Sequence, residues 1–320
     1  MPEPKKIFRI EHLSVTIEHA LVLEDLSLSL ESGEMYYLIG DRNSGKSVLA
    51  CILRGNFPRS HYQGEIFLEN TPISSLSCKQ REDLGIRVLS QNSAFVPGMT
   101  LAENLFLGNE IHSIGVLRWH RIFKETIRIL NEIQWDISPS ILLKNIPKDK
   151  LYLVSLAKGF LSPTKVFIID EAFTHLDIYV ESQRKIASIL ERLKEKGVAI
   201  LYLNHKIDNT MSIANRVGVL KEGKIAYESD ARQTIPENLV YKLLGEPEEN
   251  PEIPPSVIKK YNLTPRETEI MRLLFEGMNA RQISETLYIS LSTVKTHIYN
   301  IYQKTGVKNR LALARLCSLK

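Results

Sequence analysis

One eight-residue segment constrains the fold of this 320-residue chain more than any other feature. Residues 40–47 read GDRNSGKS and match the pattern GxxxxGK[ST]. A short apolar run, MYYLIG, precedes the segment, and a helix-like run, SVLACILRG, follows it. A strand, a glycine-containing loop and a helix in this order are typical of the phosphate-binding loop (P-loop) of α/β proteins, where backbone N–H groups surround phosphates.

This loop supplies the first group of candidate binding residues. Lys46 is expected to reach the outer phosphates of a nucleotide, and the Ser47 hydroxyl is expected to hold Mg²⁺. A glycine turn that binds no ligand is the alternative. The candidate nucleotide-binding residues are Gly40, Asp41, Arg42, Asn43, Ser44, Gly45, Lys46, Ser47 and Val48.

A second signal is the run VFIIDE at residues 166–171, in which four apolar residues end in two carboxylates. A buried strand of this kind is expected to deliver Asp170 to a metal ion and Glu171 to a hydrolytic water. Helix capping explains many such acids when they stand alone. Together with the P-loop, the run predicts an NTPase-type site.

The chain divides at a segment rich in proline and glutamate, residues 246–256, which we predict to be a linker. Upstream, in residues 1–245, β-rich runs alternate with amphipathic stretches and predict an α/β domain with a buried parallel sheet. Downstream, residues 257–320 show only helical periodicity. The net charge of +4 divides into −3 for residues 1–255 and +7 for residues 256–320, a basic concentration that favours contact with nucleic acid.

The C-terminal segment predicts three helices. Thr264 and Glu267 form a capping-box pattern with Pro265 between them, and Gly277 is expected to end that first helix. A second short helix is expected after Asn279. The third is expected to begin at Ser290 or Ser292.

In the third helix, Val294, Ile298 and Ile301 recur at helical spacing and are expected to pack inward. Other residues are then left to face DNA, although a solvated face of a small bundle is the alternative. Those expected to meet base edges are Lys295, Thr296 and Tyr299, and those expected to reach phosphates are His297, Asn300, Lys304 and Lys308.

Residues 7–245 resemble the ATP-binding cassette (ABC) ATPases, and most closely the cassettes of sugar importers. The resemblance rests on the two motifs above and on three later segments: LSQNSAFVPGMTLAENLFLG, THLD and LYLNHKID. It implies that Gln91 contacts Mg²⁺ and water, that Leu176 and Asp177 form the D-loop, and that His205 senses the γ-phosphate. ATP and Mg²⁺ are the implied cofactors, with Ser47, Gln91 and Asp170 as metal ligands and Glu171 and His205 as catalytic residues.

The chain departs from the family's pattern at three places. The family's LSxGQ signature is expected at residues 146–150, which read IPKDK, so Pro147 and Asp149 replace the serine and glycine that contact the γ-phosphate in the opposite protomer. Ile17 stands where an adenine-stacking aromatic residue is expected. Asn43 and Val48 replace a glycine and a threonine of the P-loop. We therefore expect ATP binding with slow or no hydrolysis.

Residues 263–316 resemble the LuxR-type helix-turn-helix domain, which binds DNA. This resemblance implies a recognition helix over residues 293–304, so Thr293 joins the candidate DNA contacts. It also implies a fourth helix over residues 309–316 that is often used for dimer contact. The sequence thus predicts an α/β P-loop NTPase domain, ABC ATPase-like, followed by a small all-α helix-turn-helix domain.

The chain is expected to work in the cytoplasm. Cys51, Cys78 and Cys317 are too scattered for a disulfide framework, and no apolar stretch is long enough to cross a membrane. The predicted function is an ATP-binding transcription regulator that binds double-stranded DNA, expected as a homodimer. The alternative is the ATP-binding subunit of a sugar importer with an appended DNA-binding domain, which would need an ABC permease as partner.

Overall fold

Two stretches of the chain, Met1–Leu244 and Gly245–Lys320, form separate compact units in a computed structural model, and each is described by itself. The residues that the structure describes are 6–18, 20–41, 44–90, 95–113, 116–173, 180–205, 207–230, 253, 255–275, 280–287 and 289–307.

Strands and helices alternate along the first unit. Its strands are β1 (Lys6–Ile17), β2 (Ala20–Glu31), β3 (Met35–Gly40), β4 (Tyr62–Leu68), β5 (Thr71–Pro72), β6 (Ile86–Ser90), β7 (His112–Ser113), β8 (Val116–Leu117), β9 (Val166–Asp170), β10 (Ala199–Asn204), β11 (Arg216–Lys221) and β12 (Lys224–Asp230). Its helices are α1 (Lys46–Arg54), α2 (Cys78–Leu84), α3 (Leu101–Phe106), α4 (Trp119–Glu132), α5 (Leu151–Ala157) and α6 (Val180–Glu195).

A six-stranded sheet with the order β12-β11-β3-β10-β9-β6 forms the centre of this unit. Its strands from β11 to β6 pair in parallel, and β12 is added antiparallel at one edge. Every residue of β3 and β10 is buried, because both faces of the sheet are covered. The predicted α/β domain with a buried parallel sheet is confirmed.

Alternation along β3 shows how the two faces are covered. Met35, Tyr37 and Ile39 pack with α3 to α6 in one apolar core. Tyr36 and Leu38 point the other way and pack with α1 and the strands β1, β2 and β4 in a second core. Those three strands and β5 form an antiparallel sheet with the order β2-β1-β4-β5. This period-2 division is what an extended strand imposes on its side chains.

The second unit is helical throughout its described residues. Its helices are α7 (Pro255–Lys260), α8 (Pro265–Phe275), α9 (Ala280–Thr286) and α10 (Leu291–Thr305). Ile270, Ile283, Val294 and Ile301 are fully buried in a core of their own, while Ile298 packs against it partly buried. The predicted small all-α domain is confirmed.

The caps of these helices follow the sequence signals. Thr264 and Glu267 form the expected capping box, with each backbone N–H donating to the other's side chain. The Ser290 hydroxyl accepts from the Thr293 N–H and starts α10, and Gly306, at a φ of 71°, ends it. Gly277 and the implied helix over residues 309–316 lie outside the described residues.

Of the predicted linker, residues 246–256, the structure describes only residues 253, 255 and 256. Helix α7 begins at Pro255, a position where proline is tolerated because it lies in the first turn of the helix. Ile253 is buried in the core of the second unit. Residues 246–252 and 254 lie outside the described residues, so the linker bounds stay a prediction. None of the helices that the structure describes is long and apolar enough to span a bilayer.

Arg81, in α2, forms hydrogen bonds that connect α2 to the end of α1 and to the segment before α2. Its side chain is 1% exposed, and its guanidinium donates to the carbonyl oxygens of Ile52, Leu53, Ser74 and Leu76 at 2.6 to 3.1 Å. Ile52 and Leu53 lie in the last turn of α1, where carbonyls lack partners within the helix. The Ile52 and Ser74 carbonyl oxygens also accept from the Gly55 N–H and the Tyr62 hydroxyl. An apolar residue in place of Arg81 would therefore remove donors chiefly from the Leu53 and Leu76 carbonyl oxygens.

We expect Arg81→Met to lower the free energy of unfolding of the first unit by about 3 kcal/mol, because buried carbonyls lose their donors. The matched control Lys79→Met removes an exposed ion pair with Asp83 and should cost less than about 0.5 kcal/mol. Urea unfolding followed by tryptophan fluorescence measures this unit, since Trp119 and Trp135 both lie in it. Equal effects of the two substitutions would contradict the assignment.

Candidate functional site

The P-loop begins at the end of β3 and leads into α1. A Cβ on Gly40 would lie 2.4 Å from the Ser44 Oγ and 2.7 Å from the Leu220 carbonyl oxygen. Gly45 has a φ of +98°, and a Cβ there would lie 2.6 Å from Leu23 Cδ2. Only glycine fits these two positions, so both motif glycines serve the tight turn of the loop.

The Lys46 side chain is folded into this loop and is 2% exposed. Its Nζ donates to the carbonyl oxygens of Gly40, at 2.8 Å, and of Asp41, and lies 3.3 Å from the Ser44 Oγ. Burial lowers the pKa of Lys46, and the nearby Glu171 carboxylate opposes that shift. The ammonium group is thus held at the loop by neutral oxygens that phosphate oxygens can replace.

Glu171 links Lys46 to His205. One Glu171 oxygen lies 3.4 Å from the Lys46 Nζ, and the other lies 3.5 Å from the His205 Nδ1. The His205 imidazole is the main cause that lowers the pKa of Glu171, against the effect of burial and with help from Lys46. The backbone of Glu171 is left-handed, with a φ of 44°. The structure therefore brings the predicted cation, acid and histidine together.

Asp170 ends β9 beside this cluster. Burial and the neighbouring Glu171 raise the pKa of Asp170 to about 6, and its buried Oδ1 has no hydrogen-bond partner. A buried carboxylate oxygen of this kind fits a divalent cation, which prefers oxygen ligands. Ser47, the other described candidate ligand, is exposed at the first turn of α1. The residues present therefore fit Mg²⁺.

The second unit presents a polar face on α10. Lys295, Thr296 and Tyr299 are exposed, as expected, and Tyr299 is 62% exposed. Thr293 is also exposed, whereas His297 and Asn300 are partly buried. Val294 and Ile301, on the opposite face, are 0% exposed and hold the helix on α8 and α9. An exposed polar helix of 15 residues on a small helical core has the form of a major-groove reader.

Comparisons with known proteins agree with the P-loop site of the first unit and with the polar helix α10 of the second. The family model described as "ABC transporter" matches residues 23–174, and the model described as "Bacterial regulatory proteins, luxR family" matches residues 261–317. The chain joins an ABC cassette to a LuxR-type helix-turn-helix domain.

Curated relatives of the cassette are importer proteins. The xylose import ATP-binding protein XylG of Geobacillus kaustophilus is 30% identical over 226 residues, which are 70% of this chain and 44% of that protein. The ribose import ATP-binding protein RbsA of Clostridium perfringens is 29% identical over 248 residues, 77% of this chain and 48% of that protein. The chain thus spans less than half the length of these relatives.

Solved structures show the same fold for the cassette. An ATP-binding cassette of an ABC transporter in its ADP conformation covers 76% of this chain and 96% of its own, with a TM-score of 0.62 and 20% identity. A cassette described as a dimeric post-hydrolysis state bound to ADP and phosphate covers 70% of this chain and 99% of its own, with a TM-score of 0.61 and 19% identity.

Several predicted residues of the ABC cassette lie outside the described residues. They are Arg42, Asn43, Gln91, Leu176 and Asp177. Val48 is described, and its partly buried side chain packs against the second core, while its contact with a nucleotide stays a prediction. Asp41 contributes its carbonyl oxygen to the Lys46 ammonium.

In the segment where the LSxGQ signature is expected, residues 147–150 are exposed, whereas Ile146 is buried in the first core. Lys148, Asp149 and Lys150 form a short 3₁₀ turn, and α5 follows it without a side-chain cap. Pro147 precedes the turn and is also exposed. The segment that we predict to stand in place of the family's serine and glycine thus presents a proline and charged side chains at the surface of the cassette.

The LuxR-type domain has candidate contacts that the sequence analysis missed. Ser292 and Gln303 are exposed, and on a helix of 3.6 residues per turn they share a stripe with Thr296 and Tyr299. Helical spacing could have identified these two residues, because it places them on the side of the helix opposite the buried Val294. Lys308 lies outside the described residues.

Lys304 forms intramolecular contacts that the sequence pattern did not predict. Its Nζ donates to the Glu267 carboxylate at 2.7 Å and to the Asn262 carbonyl oxygen at 3.0 Å. Glu267 is 3% exposed, and although burial opposes ionisation, its bonds from Lys304 and Thr264 lower its pKa. Two of the three donors of Lys304 are thereby engaged inside the domain. Lys304 fixes α10 on the start of α8, and its phosphate contact stays a prediction.

We expect Lys304→Met to lower the free energy of local opening of α10 by about 1–2 kcal/mol at pH 7. The reason is that the substitution leaves the Glu267 carboxylate buried without its cation. Hydrogen exchange of the amides of Leu291–Thr305 in the full chain should be correspondingly faster. Lys295→Met, at an exposed position of the same helix, is the matched control and should leave exchange unchanged.

The effect should depend on pH in one direction. Because the pKa of folded Glu267 is lowered, its stabilisation is complete above the unfolded-state value of about 4.3 and is lost as the pH falls through the folded value. The difference between the variant and the unaltered chain should therefore shrink on acidification. A difference that persists unchanged at pH 3 would contradict the ion pair.

Proposed function

We propose that this chain is a transcription regulator that binds duplex DNA through α10 and binds ATP·Mg²⁺ in its cassette, with nucleotide as the signal. One observation carries the proposal: a P-loop lysine, an acidic pair and a histidine lie together in a chain that also presents a polar recognition helix. A regulator of this kind would work in the cytoplasm.

The nucleotide site would use residues from three strand ends. Lys46 and the backbone N–H groups of the loop that ends at Ser47 would bind phosphates, as in other P-loops. Ser47 and Asp170 would hold Mg²⁺, together with the proposed ligand Gln91. When bound, the ion would neutralise phosphate charge. Glu171 would accept a hydrogen bond from a water, and His205, 3.5 Å from Glu171, would border the same space.

Hydrolysis would be slow or absent. The exposed residues 147–150, which include Pro147 and Asp149, would lack the serine hydroxyl of the family's signature, and the proline removes a backbone donor. A carboxylate near a polyphosphate is electrostatically unfavourable. The ATP-bound form of the protein would then persist long enough to serve as a signal.

The DNA interface would be the exposed face of α10. Lys295 offers a cation to guanine, and the methyl-bearing Thr296 and the aromatic Tyr299 offer contacts to neighbouring base edges. Thr293, His297 and Asn300 would position the helix on the backbone, with Lys308 as a further proposed contact. Two such helices in a homodimer would read two half-sites, as other helix-turn-helix proteins do.

Coupling between the two units would follow from linkage. ATP can change DNA affinity only if it binds one arrangement of the protein more tightly than another, and the effect is then reciprocal. A tenfold change in DNA affinity requires a difference of about 1.4 kcal/mol in nucleotide binding between the arrangements.

A second candidate function is that of an importer subunit that carries a DNA-binding domain. The observation that favours it is the similarity to xylose and ribose import ATP-binding proteins. This role would require an ABC permease as partner. Copurification of a membrane permease with the full chain would support this candidate, and a permease-free chain bound to DNA in cells would oppose it.

We expect the full chain to select a duplex sequence from a random pool and to bind it with an affinity that falls steeply as salt rises, because phosphate contacts release counterions. Lys295→Ala should reduce discrimination between the selected site and a mismatched one by about tenfold. Fluorescence anisotropy measures both. If the chain bound neither the selected nor random duplex at low salt, the DNA-binding proposal would be wrong.

We expect ATP·Mg²⁺ to bind with calorimetrically measurable affinity and to change the Kd for the selected duplex. Lys46→Ala should abolish both effects, because the phosphates lose their buried cation. Lys79→Ala, at an exposed position in the same unit, is the control and should retain them. Identical DNA affinity with and without saturating ATP would overturn the signalling role, and robust turnover abolished by Glu171→Gln would overturn slow hydrolysis.

A further inference from the structure

A set of buried polar side chains lies directly beneath the turn that carries His205. Tyr37 in β3 and Tyr202 in β10 are opposite each other in the sheet register, and their rings stack with centroids 5.1 Å apart. Tyr37 is 0% exposed and Tyr202 is 2% exposed. Both hydroxyls therefore need hydrogen-bond partners inside the protein.

Asn204 and Asp208 supply those partners. The Asn204 Nδ2 donates to the Tyr37 hydroxyl oxygen at 2.9 Å and to the Asp208 Oδ2 at 2.8 Å. The Tyr202 hydroxyl lies 3.3 Å from the same Asp208 oxygen. Asn204 is 3% exposed, so these contacts are shielded from water.

The same network reaches His205 through the backbone. The Asn204 Oδ1 accepts from the His205 N–H at 2.8 Å, while the His205 imidazole lies 3.5 Å from Glu171. Asn204 is thus bonded to the turn on one side and to Asp208 and Tyr37 on the other. Any shift of Asn204 would carry the backbone of His205 with it.

Ordinary capping explains only half of the Asp208 contacts. The Asp208 Oδ1 accepts from the N–H of Thr210, at 2.8 Å, and from its hydroxyl, and so caps the 3₁₀ turn Asn209–Ile213. The other oxygen points inward to Asn204 and Tyr202 and has no capping role. The inward half of the network is what calls for a different explanation.

Stability alone does not require this inward half. The other positions of β10 are Ala, Ile and Leu, which fill the core without polar atoms. Replacing a buried polar pair by apolar groups of the same shape is often neutral, whereas a fully satisfied network fixes one conformation. The network therefore fits a role in holding the turn rather than in building the sheet.

We infer that Asn204 and Asp208 are positioning residues that hold the His205 turn in one conformation, so that the imidazole stays against Glu171 at the nucleotide site. The inference rests on the proposed role of His205 in ATP binding. Its consequence is that the preference of the cassette for ATP over ADP depends on two side chains that touch neither nucleotide nor metal.

Asp208→Asn is the sharpest test, because asparagine keeps the capping oxygen and replaces the inward oxygen with a donor that cannot accept from Asn204. Thr210→Val is the matched control. It removes the Thr210 hydroxyl, which contacts the capping oxygen of Asp208 and the Tyr202 hydroxyl, and it leaves the contact between Asn204 and the inward Asp208 oxygen intact. Should Asp208→Asn fail to fold, Tyr202→Phe removes one inward contact more gently and carries the same expectations.

Two measurements on the full chain decide the matter. The first is the ¹H–¹³C correlation of the His205 imidazole without nucleotide, assigned by its loss in His205→Gln. The second is the ratio of the Kd values for ADP and ATP by calorimetry. We expect Asp208→Asn to broaden or double the correlation and to lower the ratio about tenfold, as for a displaced hydrogen-bonding group. Thr210→Val should leave both within twofold of the unaltered chain.

An Asp208→Asn correlation identical to that of the unaltered chain would overturn the inference, as would an altered correlation with an unchanged Kd ratio. If the unaltered chain bound neither nucleotide, the proposed function would fail. The imidazole correlation would then still decide whether Asp208 positions the turn.

Discussion

The parallel register of β9, β10 and β3 is the constraint on which the nucleotide site depends. Leu203 of β10 pairs with Leu38 on one side and with Asp170 on the other. The chain segments that follow these strands therefore leave the sheet at one edge and at one level. Because three separate segments converge there, a phosphate at that edge can be contacted by a loop, an acidic pair and a histidine that are distant in sequence. A shift of one residue in any strand would turn its side chains to the other face.

Most of this arrangement could be predicted because its parts are local. The P-loop depends on glycines at two positions, and Gly40 and Gly45 are required by close contacts of their own backbone. The acidic strand depends on an apolar run that ends in carboxylates. The position of a residue in a sequence motif, however, does not show where its side chain points. Val48 belongs to the loop by sequence and to the second core by packing, because the first turn of α1 presents it to β-strand side chains.

Lys304 shows the same limit for the LuxR-type domain. Helical spacing correctly separated inward Val294 from outward Thr296, since that separation depends on one helix alone. The partner of Lys304 is Glu267, which is 37 residues away and lies in another helix. A cation on a predicted recognition helix fits phosphate contact and intramolecular pairing equally well by sequence. Only the packing of α8 against α10 reveals the intramolecular pairing, which gives the buried Glu267 carboxylate its cation.

The cassette shows why a nucleotide site can be useful without rapid turnover. A switch needs two arrangements that differ in their affinity for the ligand, and it needs the bound state to persist while the other site responds. The segment predicted to replace the signature, residues 146–150, would lack contacts that serve hydrolysis, while Lys46, Asp170 and the His205 turn would keep those that serve binding. Loss of the first group with retention of the second is the combination that a signalling site requires. The predicted loss of the signature, in a chain that we propose to bind DNA, would therefore be specialisation for nucleotide binding rather than decay of the whole site.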